Sequence, residues 1–211
     1  VQHTQKILAC YNKTANNYSD RFINELSYCH LDRILLKAFA LENSRKGPML
    51  DLGCGPGQTT KFLAENGVTD ITGADLSPEM IRVAKSISPL LRFEQADMLE
   101  LHYPANSFAA VIAFYAIVHF DQEQVLTAFK EIKRVLKDGG HFLFSFHVGD
   151  EIIHLDNFLD IDVDIDLYFF SVRNIRKLLT EVGFEIIDII QRQPYAEDYQ
   201  TERAYIWVKK R

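Results

Sequence analysis

Three carboxylates and three glycines stand at spacings that suit ligand binding. Asp51 opens DLGCGPGQTT (51–60), which packs Gly53, Gly55 and Gly57 into five positions; Asp75 closes DITGAD, and Asp97 follows LRFEQA. Glycines crowded in this way let a backbone approach a ligand closely. A pyrophosphate, a frequent guest of such turns, gains little from three anions nearby. A ligand with a cationic group and ribose hydroxyls suits them better. His119, just past the apolar run FAAVIAFY (108–115), is the best-placed candidate general base, since an ordinary imidazole titrates near neutrality. His147 is a weaker one. No His, Cys or acid cluster has convincing metal spacing.

These residues need elements to hold them. PMLDLG reads as a strand and GQTTKFLAENG as a helix; DITGAD is a second strand, and Ser77-Pro78 caps the helix PEMIRVAKSI. LRFEQA is a third strand. FAAVIAFY is a fourth, apolar throughout, as a strand covered on both faces should be. A helix over 121–137 precedes HFLFSFH, a fifth strand; a helix over 171–182 precedes FEIIDII and AYIWVKK, the sixth and seventh. Two helices, over 2–10 and 18–40, come before all of this. Repeated strand–helix alternation predicts an α/β doubly wound, mostly parallel sheet, with ligands beyond the C-terminal strand ends near the switch point. The glycine loop leaves the first strand at that place.

A dinucleotide fold is one alternative, but its third glycine would fall at position 58, where Gln58 stands. S-adenosylmethionine offers a sulfonium, an ammonium, a ribose diol and no phosphate. DLGCGPGQTT, GADLSPEMI, FEQADM and the strand before YAIVHF resemble successive motifs of the class I S-adenosylmethionine-dependent methyltransferases, from about residue 45 to 147. The resemblance implies a Rossmann-like methyltransferase fold, six strands parallel and one antiparallel, with N-terminal lid helices. It implies one domain over 1–211: a lid at 1–44, a cofactor core at 45–147, an acidic insertion at 148–170, and a helix with a strand pair at 171–211. By resemblance Gly53, Gly55 and Gly57 line the cofactor with Asp51 beside them. Asp75 holds the ribose, Leu76 and Met98 flank the adenine, and Asp97 reads its amino group. Tyr115 meets the methionine end, and Tyr18, in YNKTANNYSDRF, touches the cofactor from the lid. Tyr11 is equally a packing residue.

The implied activity is methyl transfer to an N or O atom of a small molecule, leaving S-adenosylhomocysteine. A nicotinamide-dependent oxidoreductase and a non-catalytic cofactor-binding protein are the alternatives. Residues 148–170 hold seven acids and no Lys or Arg, and 161–167 alternates Ile161, Val163, Ile165 and Leu167 with Asp162, Asp164 and Asp166. That pattern is a half-buried strand, either a charged sheet edge or the border of a pocket for a cationic or amine-bearing acceptor. Composition bounds the rest. Of 211 residues 47% are hydrophobic and 25% charged, enough for a full core. A net charge of -6 without a basic patch argues against a nucleic-acid partner. Three unpatterned cysteines suit a reducing, cytoplasmic setting; no signal-peptide pattern or membrane-length apolar run appears, and oligomeric state is not encoded legibly.

Overall fold

A computed structural model describes residues 2–211. Helix α1 runs over Gln2–Phe22, a 3-10 turn over Glu25–Ser27, and α2 over His30–Asn43. Then strands and helices alternate: β1 (Met49–Leu52), α3 (Gln58–Glu65), β2 (Ile71–Asp75), α4 (Pro78–Ile87), β3 (Arg92–Gln95), β4 (Phe108–Phe114), α5 (Gln122–Val135) and β5 (Leu136–His147). A hairpin of β6 (Ile152–Phe158) and β7 (Ile161–Tyr168) follows, then α6 (Val172–Val182), β8 (Phe184–Arg192) and β9 (Arg203–Lys210).

Seven strands form one sheet in the order β3-β2-β1-β4-β5-β9-β8. Neighbours from β3 to β5 pair in parallel; β9 enters antiparallel between β5 and β8. The order reverses at β1 and β4, which places the switch point between their C-terminal ends. Alternation sorts the strand side chains onto two faces. Leu50, Leu52, Val111 and Ala113 pack with Phe129 of α5 and Leu179 of α6; Met49, Ala110 and Ile112 pack with Phe39 of α2 and Leu63 of α3. All but the last residue of β4 are buried, as a strand covered on both faces requires.

Local signals fix the helix starts beside the switch point. The Ser77 hydroxyl accepts the Met80 N–H at 3.1 Å, with Pro78 at the first helical position. Asp121 and Gln124 complete a capping box at α5.

Two expectations are corrected. The helix expected to stop at residue 10 continues to Phe22, because Ile7, Cys10, Thr14 and Ala15 bury one stripe of it in the core across YNKTANN. Burial outweighs the weak helix propensity of Asn and Thr there. The helix expected over 18–40 instead breaks at the 3-10 turn, where Arg33 Nη1 donates to the carbonyls of Leu26 and Ser27 at 2.8 and 2.7 Å. The acidic strand β7 is a sheet edge, as one of the two alternatives had it, but not of the main sheet. It pairs with β6, which the sequence pattern did not mark, in a separate two-stranded sheet. Val1, the first residue of the expected lid segment, lies outside the described residues.

Candidate active site

The loop after β1 can fold as it does only with glycine. Gly53, Gly55 and Gly57 have φ of 67°, 52° and 88°, the left-handed region. A Cβ on Gly53 would stand 2.5 Å from Cβ of Ala116, and one on Gly57 would strike the Phe93 ring at 2.8 Å. Gly53 therefore lets the loops after β1 and β4 close together, while Gly57 lets α3 settle on β3.

These loops border a cavity at the switch point. Its floor is Leu52, Gly53 and Gly55 from the end of β1, Asp75 and Leu76 from β2, Asp97 and Met98 after β3, and Tyr115 and Ala116 after β4. Helix α1 covers it with Ile7, Leu8, Tyr11 and Tyr18, and His119 and Phe120 complete the wall. Nine of the eleven residues expected to bind the cofactor or to act as first-choice base meet here. Asp51 and Gly57 do not. Asp51 is 1% exposed beneath the loop, its Oδ2 accepting the Thr60 hydroxyl at 2.6 Å; burial pushes its carboxyl up to about 7. It braces α3 against β1 and forms no part of the cavity wall.

The carboxylates that do reach the wall are preset. Asp75 accepts the N–H of Gly55 on Oδ2 at 2.9 Å and of Ser77 on Oδ1 at 2.8 Å. Each oxygen keeps a further lone pair for a ligand donor. Burial pushes the Asp75 carboxyl above its ordinary value, against those two bonds. Asp97 Oδ1 accepts the Leu99 N–H at 2.8 Å. Among the described residues that line the cavity there is no Lys or Arg, so nothing there would neutralise a phosphate. The donor set instead fits S-adenosylmethionine: carboxylate oxygens for the ribose diol and the adenine amino group, apolar Leu76 and Met98 beside them, and a glycine backbone for close approach.

Tyr115 is bent out of its strand at φ 53°, a costly conformation for a tyrosine. Its N–H is held by the carbonyl and hydroxyl of Ser145, both at 3.1 Å. The phenol exchanges a hydrogen bond with Tyr205 Oη at 2.9 Å, and Tyr205 donates to buried Asp32 at 2.6 Å. Arg192 joins this network through Tyr205 Oη at 2.9 Å and Asp198 at 2.6 Å.

His119 is 6% exposed, and burial drives its pKa down to about 4. Its Nδ1 faces the Asp166 carbonyl at 2.8 Å; a carbonyl only accepts, so Nδ1 carries the hydrogen. In the neutral ring Nε2 is then an acceptor, and the Tyr11 hydroxyl donates to it at 2.6 Å. Tyr11 thus occupies the acceptor nitrogen of His119. Sequence spacing could not have found this pair, because the partners are 108 residues apart. His147 does not line the cavity; it bonds Thr201 Oγ1 at 2.7 Å, and burial lowers its pKa to about 3. Among the described residues no group of His, Cys, Asp and Glu side chains is placed to hold a metal ion.

The acidic face of β7 turns elsewhere. Asp162 and Asp164 line a second cleft, with Lys6 and Lys13 of α1 opposite. Lys6 pairs with Asp164 at 2.8 Å, and Asn17 donates to the Leu159 carbonyl at 2.9 Å. None of Asp162, Asp164 and Asp166 lines the first cavity; Asp164 pairs with Lys6 of α1, and Asp166 with His154 of β6.

Comparison with known proteins agrees with this geometry. Residues 49–140 match the model of the methyltransferase domain family. The chain is 37% identical over 129 residues to YqeM of Bacillus subtilis, whose name gives a methyltransferase and no substrate; the match covers 57% of this chain and 51% of that protein. It is 25% identical over 177 residues to ajmaline N-methyltransferase of Rauvolfia serpentina, covering 75% and 60%. The chain thus spans about half the length of the first curated relatives it matches. In fold it is similar to magnesium protoporphyrin IX methyltransferase of Synechocystis, solved with bound S-adenosylmethionine, at 16% identity and TM-score 0.76 over 100% of this chain and 98% of that one. Residues 49–140 thus match a methyltransferase domain, on a fold shared with S-adenosylmethionine-dependent methyltransferases. The nicotinamide alternative is set aside by this match and by Gln58.

Proposed function

We propose that this chain transfers a methyl group from S-adenosylmethionine to an O or N atom of a small molecule, and that Tyr11 and His119 carry away the acceptor's proton. One observation supports this most directly: Asp75, Asp97, the glycine loop and the Tyr11–His119 pair border a single cavity. When bound, S-adenosylmethionine supplies an electrophilic methyl group. The protein's part is placement and proton handling. Asp75 and Asp97 fix the adenosine end, and Tyr18 closes over the glycine loop. The acceptor's proton passes to Tyr11 Oη as the tyrosine's own proton passes to His119 Nε2, with Nδ1–H braced on the Asp166 carbonyl.

His119 near 4 is a weak resting base; holding the imidazolium at pH 7 costs about 4 kcal/mol. The pair therefore acts as the new bond forms, when the acceptor atom is becoming acidic, and not beforehand. Ile7, Leu8 and Phe120 give this end an apolar wall. That wall and the neutral pair favour an uncharged acceptor bearing an O–H or N–H; a cationic amine would find no carboxylate of β7 there. In this reading residues 1–211 work as one unit with 1–44 as the cover, in a reducing, cytoplasmic setting suited to three unpaired, buried cysteines.

Calorimetry of the purified chain should show S-adenosylmethionine and S-adenosylhomocysteine binding. Asp75→Ala should weaken both by about 10- to 150-fold, since hydrogen bonds to a charged group are worth about 1.5–3 kcal/mol. Incubation with methyl-labelled cofactor and a metabolite extract should label one compound class. No binding at millimolar ligand ends the proposal; binding with no labelled product would leave a non-catalytic cofactor-binding protein.

A further inference from the structure

Tyr115 opens the loop that brings Ala116, His119 and Phe120 to the cavity wall. Its φ of 53° is one that a tyrosine keeps only when its surroundings over-determine it. At one end its N–H is held by the carbonyl and hydroxyl of Ser145. The other end is the phenol. Its ring lies 5.4 Å from that of His147 and its hydroxyl meets that of Tyr205, and neither of those residues lines the cavity.

Donor chemistry fixes each hydrogen there. Tyr205, 1% exposed, has a single O–H, and the Asp32 carboxylate 2.6 Å away only accepts, so Tyr205 donates to Asp32. Arg192 Nε, which only donates, takes one lone pair of Tyr205 Oη at 2.9 Å. The other lone pair receives the Tyr115 hydroxyl, which therefore donates at 2.9 Å. Tyr205 Oη is then fully engaged. Asp32, buried on α2, and Arg192 on β8 fix its orientation, and Asp198 holds Arg192 in turn at 2.6 Å. Side chains of α2, β8 and β9 thus anchor one phenol, although Asp32, Arg192 and Tyr205 all stand outside the cavity wall.

We propose that Asp32 and Tyr205 are positioning residues: by anchoring the Tyr115 phenol they keep its backbone bent and so aim the loop over 115–120 at the bound cofactor. The inference rests on the S-adenosylmethionine reading above. Without the anchor, residue 115 relaxes toward an extended φ, Ala116 draws back from Gly53, and His119 leaves Tyr11. Apparent affinity then falls with the fraction of chains that keep the bend.

Calorimetry with S-adenosylhomocysteine, on the full chain in two backgrounds, tests this. In the wild-type background Tyr205→Phe should weaken binding by about 5- to 140-fold, the equilibrium shift that a backbone strain of this kind can drive. Asp32→Asn keeps an acceptor for the Tyr205 hydroxyl, so it should lose less than Asp32→Ala. In a Tyr115→Gly background neither phenol nor strain remains, and there Tyr205→Phe should change affinity by less than about twofold. Urea midpoints of the ligand-free variants follow folding separately; Tyr205→Phe should lower them in both backgrounds, because buried Asp32 loses a donor in each. Should Tyr205→Phe fold poorly, the comparison between backgrounds passes to Asp32→Asn. A role in packing alone would weaken binding equally in both backgrounds. That result, or unchanged affinity in the wild-type background, would overturn the proposal while the cofactor assignment stood. Wild-type protein that binds no S-adenosylhomocysteine would remove both.

Discussion

The 2.6 Å bond between Tyr11 and His119 decides what either residue can do to a substrate. With Nδ1 committed to Asp166 and Nε2 to the Tyr11 hydroxyl, the imidazole would exchange a proton with a ligand through the phenol. Tyr11→Phe and His119→Gln should each lower turnover by about 100- to 10,000-fold, the usual span for proton-transfer groups, with cofactor affinity nearly unchanged. The double variant should be little worse than either, because groups acting as a unit are not additive. Multiplying losses in the double variant would show separate roles. The pH profile is a second check. The ring is the acceptor form above its pKa of about 4, so wild-type turnover should stay level from pH 6 to 9 and fall only toward pH 4. Asp75 and Asp97 were legible from sequence because a strand end fixes where an acid points. Tyr11 was not, since its role depends on a partner delivered by the fold. Asp51 was harder to place: adjacency to a loop does not say which side of it a carboxylate takes, and this one accepts from Thr60.

Helix α1 is held by the β6–β7 hairpin as much as by the core. Its outer face meets β7 through Lys6 on Asp164, Lys13 on the Asp162 carbonyl at 3.4 Å, and Asn17 on the Leu159 carbonyl. His154 shares the acids, with Nδ1 on Asp166 at 2.7 Å and Nε2 on Asp156 at 3.1 Å. The Lys6–Asp164 pair is exposed, so it contributes little, and less in salt. Replacing Asp162, Asp164 and Asp166 by Asn should therefore speed hydrogen exchange in α1 in dilute buffer, an effect that fades at physiological ionic strength. The Michaelis constant for the methyl acceptor should not move. A raised constant with α1 protection intact would return the acids to the substrate site. The strand period of β7 was readable, as was the helical period flanking it in α6. The sequence did not show what the acidic face opposes, because Lys6 and Lys13 lie in a helix about 150 residues earlier. Nor did it show that α1 runs unbroken, since only the assembled core supplies the burial that carries YNKTANN.

Across the whole molecule the doubly wound parallel sheet and its switch point follow from strand–helix alternation, while the antiparallel β9 is what the family resemblance implies. The pH response does not, because it depends on burial. Two opposed sets of groups shape it. Asp51 has a folded pKa of about 7, raised by burial. The folded state thus keeps a proton that the unfolded chain has already lost, and the group's contribution, complete below pH 4, is lost as pH rises through 7. His119 and His147, depressed to about 4 and 3, run the other way: their contribution is present above the unfolded value near 6.5 and is lost as pH falls. Where the windows overlap the opposed slopes cancel only in part, two imidazoles against one carboxyl, so the test lies in difference curves. Relative to wild type, Asp51→Asn should gain stability steadily from pH 4 to 7 and then level off, the gain on the order of 4 kcal/mol at most for a shift of about three pKa units. His119→Gln should gain instead as pH falls from 6.5 to 4. Urea midpoints at half-unit pH steps in ligand-free protein read both curves. A constant offset for Asp51→Asn at every pH would mean that its carboxyl ionises normally in the fold, and that the space beneath the glycine loop is wetter than the buried Asp51–Thr60 contact implies.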